Sequence, residues 1–174
     1  MNLQSFRADD NADTHMKTIV EQYQNMVYSI ALTHVGCRSD ADDVFQDVFL
    51  IYWQKHPEFN EEEHRKAWLI NTTLNCCKRT TGRTWRKKTV SLTDLPDQPV
   101  LFSCKEENEV FIALRQLPVK YRTVLHLFYF EDMPVEKISA LLHIRQGTVR
   151  MQLTRGRDMM RELLDRMKGE LSYG

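Results

Sequence analysis

Two groups of side chains combine charge and hydrogen-bonding capacity at spacings suited to molecular recognition. The first is residues 78–88, KRTTGRTWRKK, where Lys78, Arg79, Arg83, Arg86, Lys87 and Lys88 surround Trp85 with no acid among them. Cations at this density track a phosphate backbone, and an indole face stacks on an unpaired base for about 1–3 kcal/mol. In the second, Arg150, Met151, Thr154, Arg155 and Asp158 fall on one side of a helical repeat, with Gln152 and Arg157 on its flanks. Arginine reads guanine through two hydrogen bonds and glutamine reads adenine, each good pair discriminating by about 1–3 kcal/mol. Both groups point to nucleic acid rather than to bond-making. The plainer readings are a basic helix end that favours the helix dipole, and a solvated charged face on a terminal helix.

Catalytic chemistry finds less support. Glu61, Glu62 and Glu63 form a solvated run rather than an acid/base pair, and neither a nucleophile–base constellation nor a phosphate-cradling glycine loop is visible. His34, Cys37, His64, Cys76 and Cys77 lack the paired spacing of a zinc site. The four cysteines, Cys104 included, show no CxxC spacing and read as reduced thiols. Met133, Met151, Met159, Met160 and Met167 read as gap-filling and surface residues. The expectation is no catalytic residue, no metal and no cofactor.

The formal net charge is zero, yet its distribution is uneven. Residues 1–77 carry 6 Lys+Arg against 12 Asp+Glu, 78–88 carry 6 against none, 89–110 carry 1 against 5, and 111–174 carry 11 against 7. Alternating acidic and basic blocks suggest separate surfaces for separate partners. No apolar run approaches the roughly 20 residues needed to span a bilayer. The stretch Met1 to Thr14 is polar without an apolar centre, so neither membrane insertion nor a secretory signal is expected, and a cytoplasmic setting is.

The elements that must position these residues are helical. Ile19, Tyr23, Met26/Val27 and Ile30 recur as one amphipathic stripe. A second helix is expected to open at Ser39-Asp40-Ala41-Asp42, in the manner of a capping box, and to end at Pro57. A third runs from about His64 to Arg79, with Trp68, Thr72 and Cys76 on one face and Trp68 as core. Helical pattern resumes at Glu106–Leu117, stops at Pro118 and restarts over Val119–Phe130. From Pro134 to Leu164 a short helix, a turn and a longer helix share a seam of Val149, Leu153, Gly156, Met160 and Leu163/Leu164, the helix-turn-helix pattern. His143 stands where the turn often carries glycine, and histidine tolerates the left-handed conformation. No strand signal appears. The expected fold is all-α, with a disordered tail over 1–15, one small helical domain over 16–88, a flexible linker over 89–105 and a helix-turn-helix domain over 106–174.

Three segments then resemble a known family. Residues 40–53, DADDVFQDVFLIYW, resemble the conserved-region-2 helix of bacterial sigma factors. Ala67-Trp68-Leu69 followed by Asn75 resembles the next helix of that region, and Gly147-Thr148-Val149-Arg150 with Arg155-Gly156-Arg157 resembles region 4. With only these two regions and a short linker, the chain resembles an extracytoplasmic-function (ECF) sigma factor over about 16–88 and 107–166. The resemblance implies that Asp42, Asp43, Gln46 and Asp47 engage the β′ clamp helices of core RNA polymerase. It implies that Asn75 helps capture a flipped base of the −10 promoter element, with Lys78, Arg79, Arg83, Trp85, Arg86, Lys87 and Lys88 against phosphate and base. It assigns the −35 element to Arg145, Thr148, Arg150, Met151, Gln152, Thr154 and Arg155. An anti-sigma factor is the further partner it implies. Gln152 stands where many members carry Arg, and Cys76-Cys77 and Lys78-Arg79 replace small and acidic residues, so the promoter sequence read should differ.

The reading is therefore a non-enzymatic promoter-specificity subunit that recognises both elements and assists melting. A free-standing helix-turn-helix regulator is the alternative, disfavoured by the lack of a dimerisation heptad or ligand domain. A metal hydrolase built on the scattered Cys and His is the third reading.

Overall fold

The computed structural model describes residues 3–88 and 109–172, with side chains described over 14–82 and 109–169. Seven helices make up the described residues, with no strand among them: α1 Leu3–Val35, α2 Arg38–Lys55, α3 Glu62–Lys88, α4 Glu109–Gln116, α5 Val119–Tyr129, α6 Val135–Leu142 and α7 Gln146–Ser172. The expected linker at 89–105, with Cys104, lies outside them.

The first three helices pack around one core. Ile19, Tyr23, Val27 and Ala31 of α1 meet Ala41, Val44, Val48 and Tyr52 of α2 and Leu69 and Cys76 of α3. Burial of side chains of this size stabilises by about 1.5–3 kcal/mol each. Trp68 is half-buried and sits edge-on to Tyr52 at 5.7 Å between ring centroids. Gly36, at φ +82, turns the chain between α1 and α2 in a conformation that favours glycine. His56, at φ 43, caps α2 by donating its backbone N–H to the Tyr52 carbonyl, and Pro57 follows.

Three expectations need correction. Residues 3–15 are the opening turns of α1 rather than a disordered tail, because no glycine or proline interrupts the chain before Gly36. The N-cap of α2 is Cys37, with extended backbone and no side-chain capping bond, not the Ser39 group. The third helix does not stop at Arg79 but carries the basic run to Lys88. Gly82 alone costs a helix about 1 kcal/mol and does not end it.

The remaining four helices form the second unit. Leu114, Leu117, Val124, Leu125, Leu127, Ile138, Val149 and Leu153 are buried together. Pro134 is the N-cap of α6, and His143 takes the left-handed turn at φ 54, as the sequence leads one to expect. The Ser139 hydroxyl donates to the Ile144 carbonyl at 2.6 Å and pins that turn. The two units pack directly on each other. Ile30 of α1 and Ile70 and Leu74 of α3 belong to the apolar cluster of the second unit.

Candidate nucleic-acid interface

The helix-turn-helix presents its polar face as the spacing predicts. Val149, Leu153 and Gly156 are buried along the seam of α7, while Arg150, Met151, Thr154 and Arg155 are exposed opposite it. Gln152 and Thr148 are half-buried at the flanks, and Arg145 is exposed just ahead of α7. The Arg145 carbonyl accepts the backbone N–H groups of Thr148 and Val149, which starts the helix. Arg150 is steadied by Gln146 Oε1 at 3.3 Å and Glu136 Oε1 at 3.7 Å. Both partners are exposed, so the ion pair is weak and yields readily to a ligand. Arg155 hydrogen-bonds the Tyr121 hydroxyl, holding that phenol below its usual pKa.

α7 lies close against α5 because residue 156 has no side chain. A Cβ there would come within 3.0 Å of Leu125 Cδ1 and 3.2 Å of Leu125 Cγ.

The second candidate surface is on α3. This helix is buried on two sides: Leu69, Cys76 and Cys77 face the first core, and Ile70 and Leu74 the second. Between them Asn71, Asn75, Lys78 and Arg79 stay exposed. Asn75 Nδ2 donates to Asn71 Oδ1 at 3.4 Å, so two amides act side by side on this strip. Arg79 reaches back to Cys76 Sγ at 2.9 Å. Arg83, Trp85, Arg86, Lys87 and Lys88 continue α3, and their side chains lie outside the described ones. Burial pushes the Cys77 thiol up to about 12 and raises Cys76 as well, which disfavours the thiolate at both. Among the described residues no group of three or more His, Cys, Asp or Glu side chains is placed to hold a metal ion.

A third surface lies on α2. Asp43, Gln46 and Asp47 are exposed on one face and Asp42 is half-buried beside them. The same face carries Leu50, 53 % exposed, and Trp53, 38 % exposed. Acids around two uncovered apolar side chains suit a protein partner better than DNA, since the carboxylates repel phosphate while the apolar pair gains from burial. Sequence reasoning found the acids and missed Leu50, Trp53 and Asn71. Their signal was the helical spacing from Asp43 to Gln46/Asp47 to Leu50 to Trp53, and from Asn71 to Asn75 to Lys78.

The comparisons with known proteins follow this division. Residues 19–87 match the family described as Sigma-70 region 2. Residues 112–160 match the family described as Sigma-70, region 4. The ECF RNA polymerase sigma factor SigW of Bacillus subtilis is 26 % identical over 84 % of this chain and 87 % of that protein. The ECF RNA polymerase sigma-E factor of Haemophilus influenzae is 26 % identical over 82 % of this chain and 83 % of its own length. Among solved structures, the sigma factor RpoE in complex with the anti-sigma factor NepR from Bartonella quintana superposes with a TM-score of 0.66 at 21 % identity, covering 86 % of this chain and 96 % of that one. CnrH in complex with the cytosolic domain of CnrY gives 0.61 at 20 % identity, covering 88 % and 89 %. At such identities these structures speak for the fold alone.

Proposed function

The chain belongs to the sigma-70 family, in its ECF branch, and we propose that its work as the promoter-specificity subunit of RNA polymerase is divided among the three exposed faces. Arg145, Thr148, Arg150, Met151, Gln152, Thr154 and Arg155 read the −35 element from the major groove. The arginines and Gln152 offer hydrogen bonds to purine edges, while Met151 and the Thr154 methyl suit a thymine methyl. Asn75, joined by Asn71, receives an unpaired base of the −10 element, its amide able both to donate and to accept. Lys78, Arg79 and the basic continuation of α3 to Lys88 hold the flanking phosphates. Extruding a base costs a few kcal/mol, which these contacts offset. The face of Asp42, Asp43, Gln46 and Asp47, with Leu50 and Trp53 at its centre, docks on the β′ clamp helices of the core enzyme.

The chemistry of RNA synthesis belongs to the core enzyme, and the subunit supplies position. Among the described residues no helix is long and apolar enough to cross a membrane. The reading places the chain in the cytoplasm with the polymerase and the chromosome. RpoE was solved in complex with the anti-sigma factor NepR and CnrH in complex with the cytosolic domain of CnrY, and an anti-sigma factor is proposed for this chain by likeness to the first.

The observation that carries this reading is that each of the two matched regions presents a polar strip, on α3 and on α7, free of its own core. A free-standing regulator needs the α7 strip alone and leaves the acidic α2 face without a task. The test is affinity for core polymerase. Asp43→Arg/Asp47→Arg should weaken it at least tenfold while the fold, followed by circular dichroism, is kept. Unchanged affinity would remove the α2 face from the account.

A further inference from the structure

Arg150 and Arg155 share the exposed face of α7 but are held in different ways. Arg150 has Gln146 and Glu136 beside it. Arg155 meets no carboxylate among the described residues. Its contact comes from α5, where its guanidinium lies against the Tyr121 hydroxyl. That reach between helices depends on the bare backbone of residue 156. A Cβ there would stand 3.4 Å from Tyr121 Cβ, so α5 touches α7 at the residue next to Arg155. Tyr121 is buried, whereas Lys120 and Arg155 are exposed, so the phenol is a fixed post beside two long cations.

Lys120 takes the face of that post. Its Nζ sits 4.9 Å from the Tyr121 ring centroid, within cation–π range, and the ammonium also reaches the hydroxyl. Arginine stacks on aromatic faces too, and a stacked Arg155 would lie flat against the protein. An ammonium already on the ring excludes it, by occupying the place and by like charge. The hydroxyl is what remains for Arg155. Accepting one N–H there leaves the rest of the planar fork for a bidentate pair with guanine. The restraint matters because arginine is among the side chains that lose most rotamer freedom when fixed. An arginine already held loses less on meeting its base.

We propose that Tyr121 is a positioning residue for base reading at the −35 element: its hydroxyl holds Arg155 in an outward-reaching rotamer, and Lys120, seated on its ring, keeps Arg155 off that face. The proposal rests on the sigma reading above. It adds to the reading a determinant of specificity that lies on α5, outside the recognition helix, and acts through Arg155.

Base preference separates positioning from support of the fold. The full chain is assembled with core polymerase, and transcripts are counted from a promoter pool carrying every base at each −35 position. Arg155→Ala identifies the position that Arg155 reads, as the one whose preference it erases. Tyr121→Phe keeps the ring and its packing beside Gly156 and removes only the hydroxyl. It should lower the preference at that position by about threefold or more and leave the other −35 positions unchanged. In an Arg155→Ala background the same substitution should change nothing, since both act through one contact. Lys120→Gln frees the ring face and should lower the preference at the same position by about twofold, whatever it does to the overall yield. A purely structural role would lower the yield from all sequences alike.

An unchanged preference with Tyr121→Phe overturns the proposal, and so does a loss spread over every position. Arg155→Ala that erases no preference overturns it as well. Should Tyr121→Phe fail to fold by circular dichroism, Lys120→Gln, at an exposed site, decides by the same measure. A wild-type chain that gives no transcripts with core refutes the sigma reading, and this proposal falls with it. Normal wild-type transcription with unchanged variants refutes this proposal alone.

Discussion

Acidification should weaken this protein through one side chain, His34. It is 8 % exposed at the end of α1, with Nδ1 at 3.1 Å from the Ile30 carbonyl and Nε2 against Thr123. Burial lowers its pKa from 6.5 to about 4, and the charges of Arg122 and His126 from α5 and Lys78 from α3 push the same way against the helping carbonyl of Ile30. Above pH 6.5 the imidazole is neutral in both the folded and unfolded chain and adds no pH dependence. Between 6.5 and 4 the unfolded chain binds a proton that the folded chain refuses. Stability then falls by about 1.4 kcal/mol per pH unit. Integrated from pH 7.5 to pH 5, the loss is about 2 kcal/mol, a large share of a total stability of about 5–15 kcal/mol. His34→Gln keeps a hydrogen-bonding group that does not titrate. Urea unfolding of both chains at the two pH values isolates the effect, because carboxylates common to both cancel. The wild-type chain should lose about 2 kcal/mol more than the variant. Equal losses would refute the reasoning.

Other outcomes follow from the same coordinates. Gly156→Ala should destabilise by about 1 kcal/mol net, because crowding of Leu125 costs about 1–3 kcal/mol while the helix gains about 1 from alanine. Thermal unfolding, with a midpoint a few degrees lower, checks it. Gln152→Arg should shift the preferred −35 base from adenine towards guanine by about 1–3 kcal/mol, read by competition between duplexes differing at single positions. Asn71→Ala and Asn75→Ala should each weaken binding to a single-stranded −10 oligonucleotide in complex with core, while leaving −35 duplex binding unchanged, as fluorescence anisotropy would report.

Local pattern made the helix-turn-helix legible before any coordinates. The seam of α7 repeats every three to four residues, and His143 tolerates the left-handed turn it adopts. Ile70 and Leu74 were harder, because they lie on a second side of α3, in an apolar cluster shared by Ile30 of α1 and residues of region 4. A stripe read along one helix cannot say which neighbour covers it. The polar contact between the two units was invisible for a related reason: Thr33 and His126 are separated by 93 residues, and nothing local marks them as partners. The start of α1 and the length of α3 were misjudged because polar composition was read as an absence of structure. Polar residues carry adequate helix propensity, so α3 continues through such a stretch, Gly82 included, to Lys88. Leu50 and Trp53 sit inside an apolar run from which the sequence alone singles out neither, whereas α2 turns them outward beside its acids.

Run-off transcription with bacterial core polymerase, with and without the chain, on a pool of promoter fragments tests the central claim most directly. The account predicts specific transcripts only when the chain is added, lost with Asp43→Arg/Asp47→Arg and moved to different promoters by Gln152→Arg. Tight, sequence-specific DNA binding by the chain alone, without affinity for core and without transcripts, would contradict it.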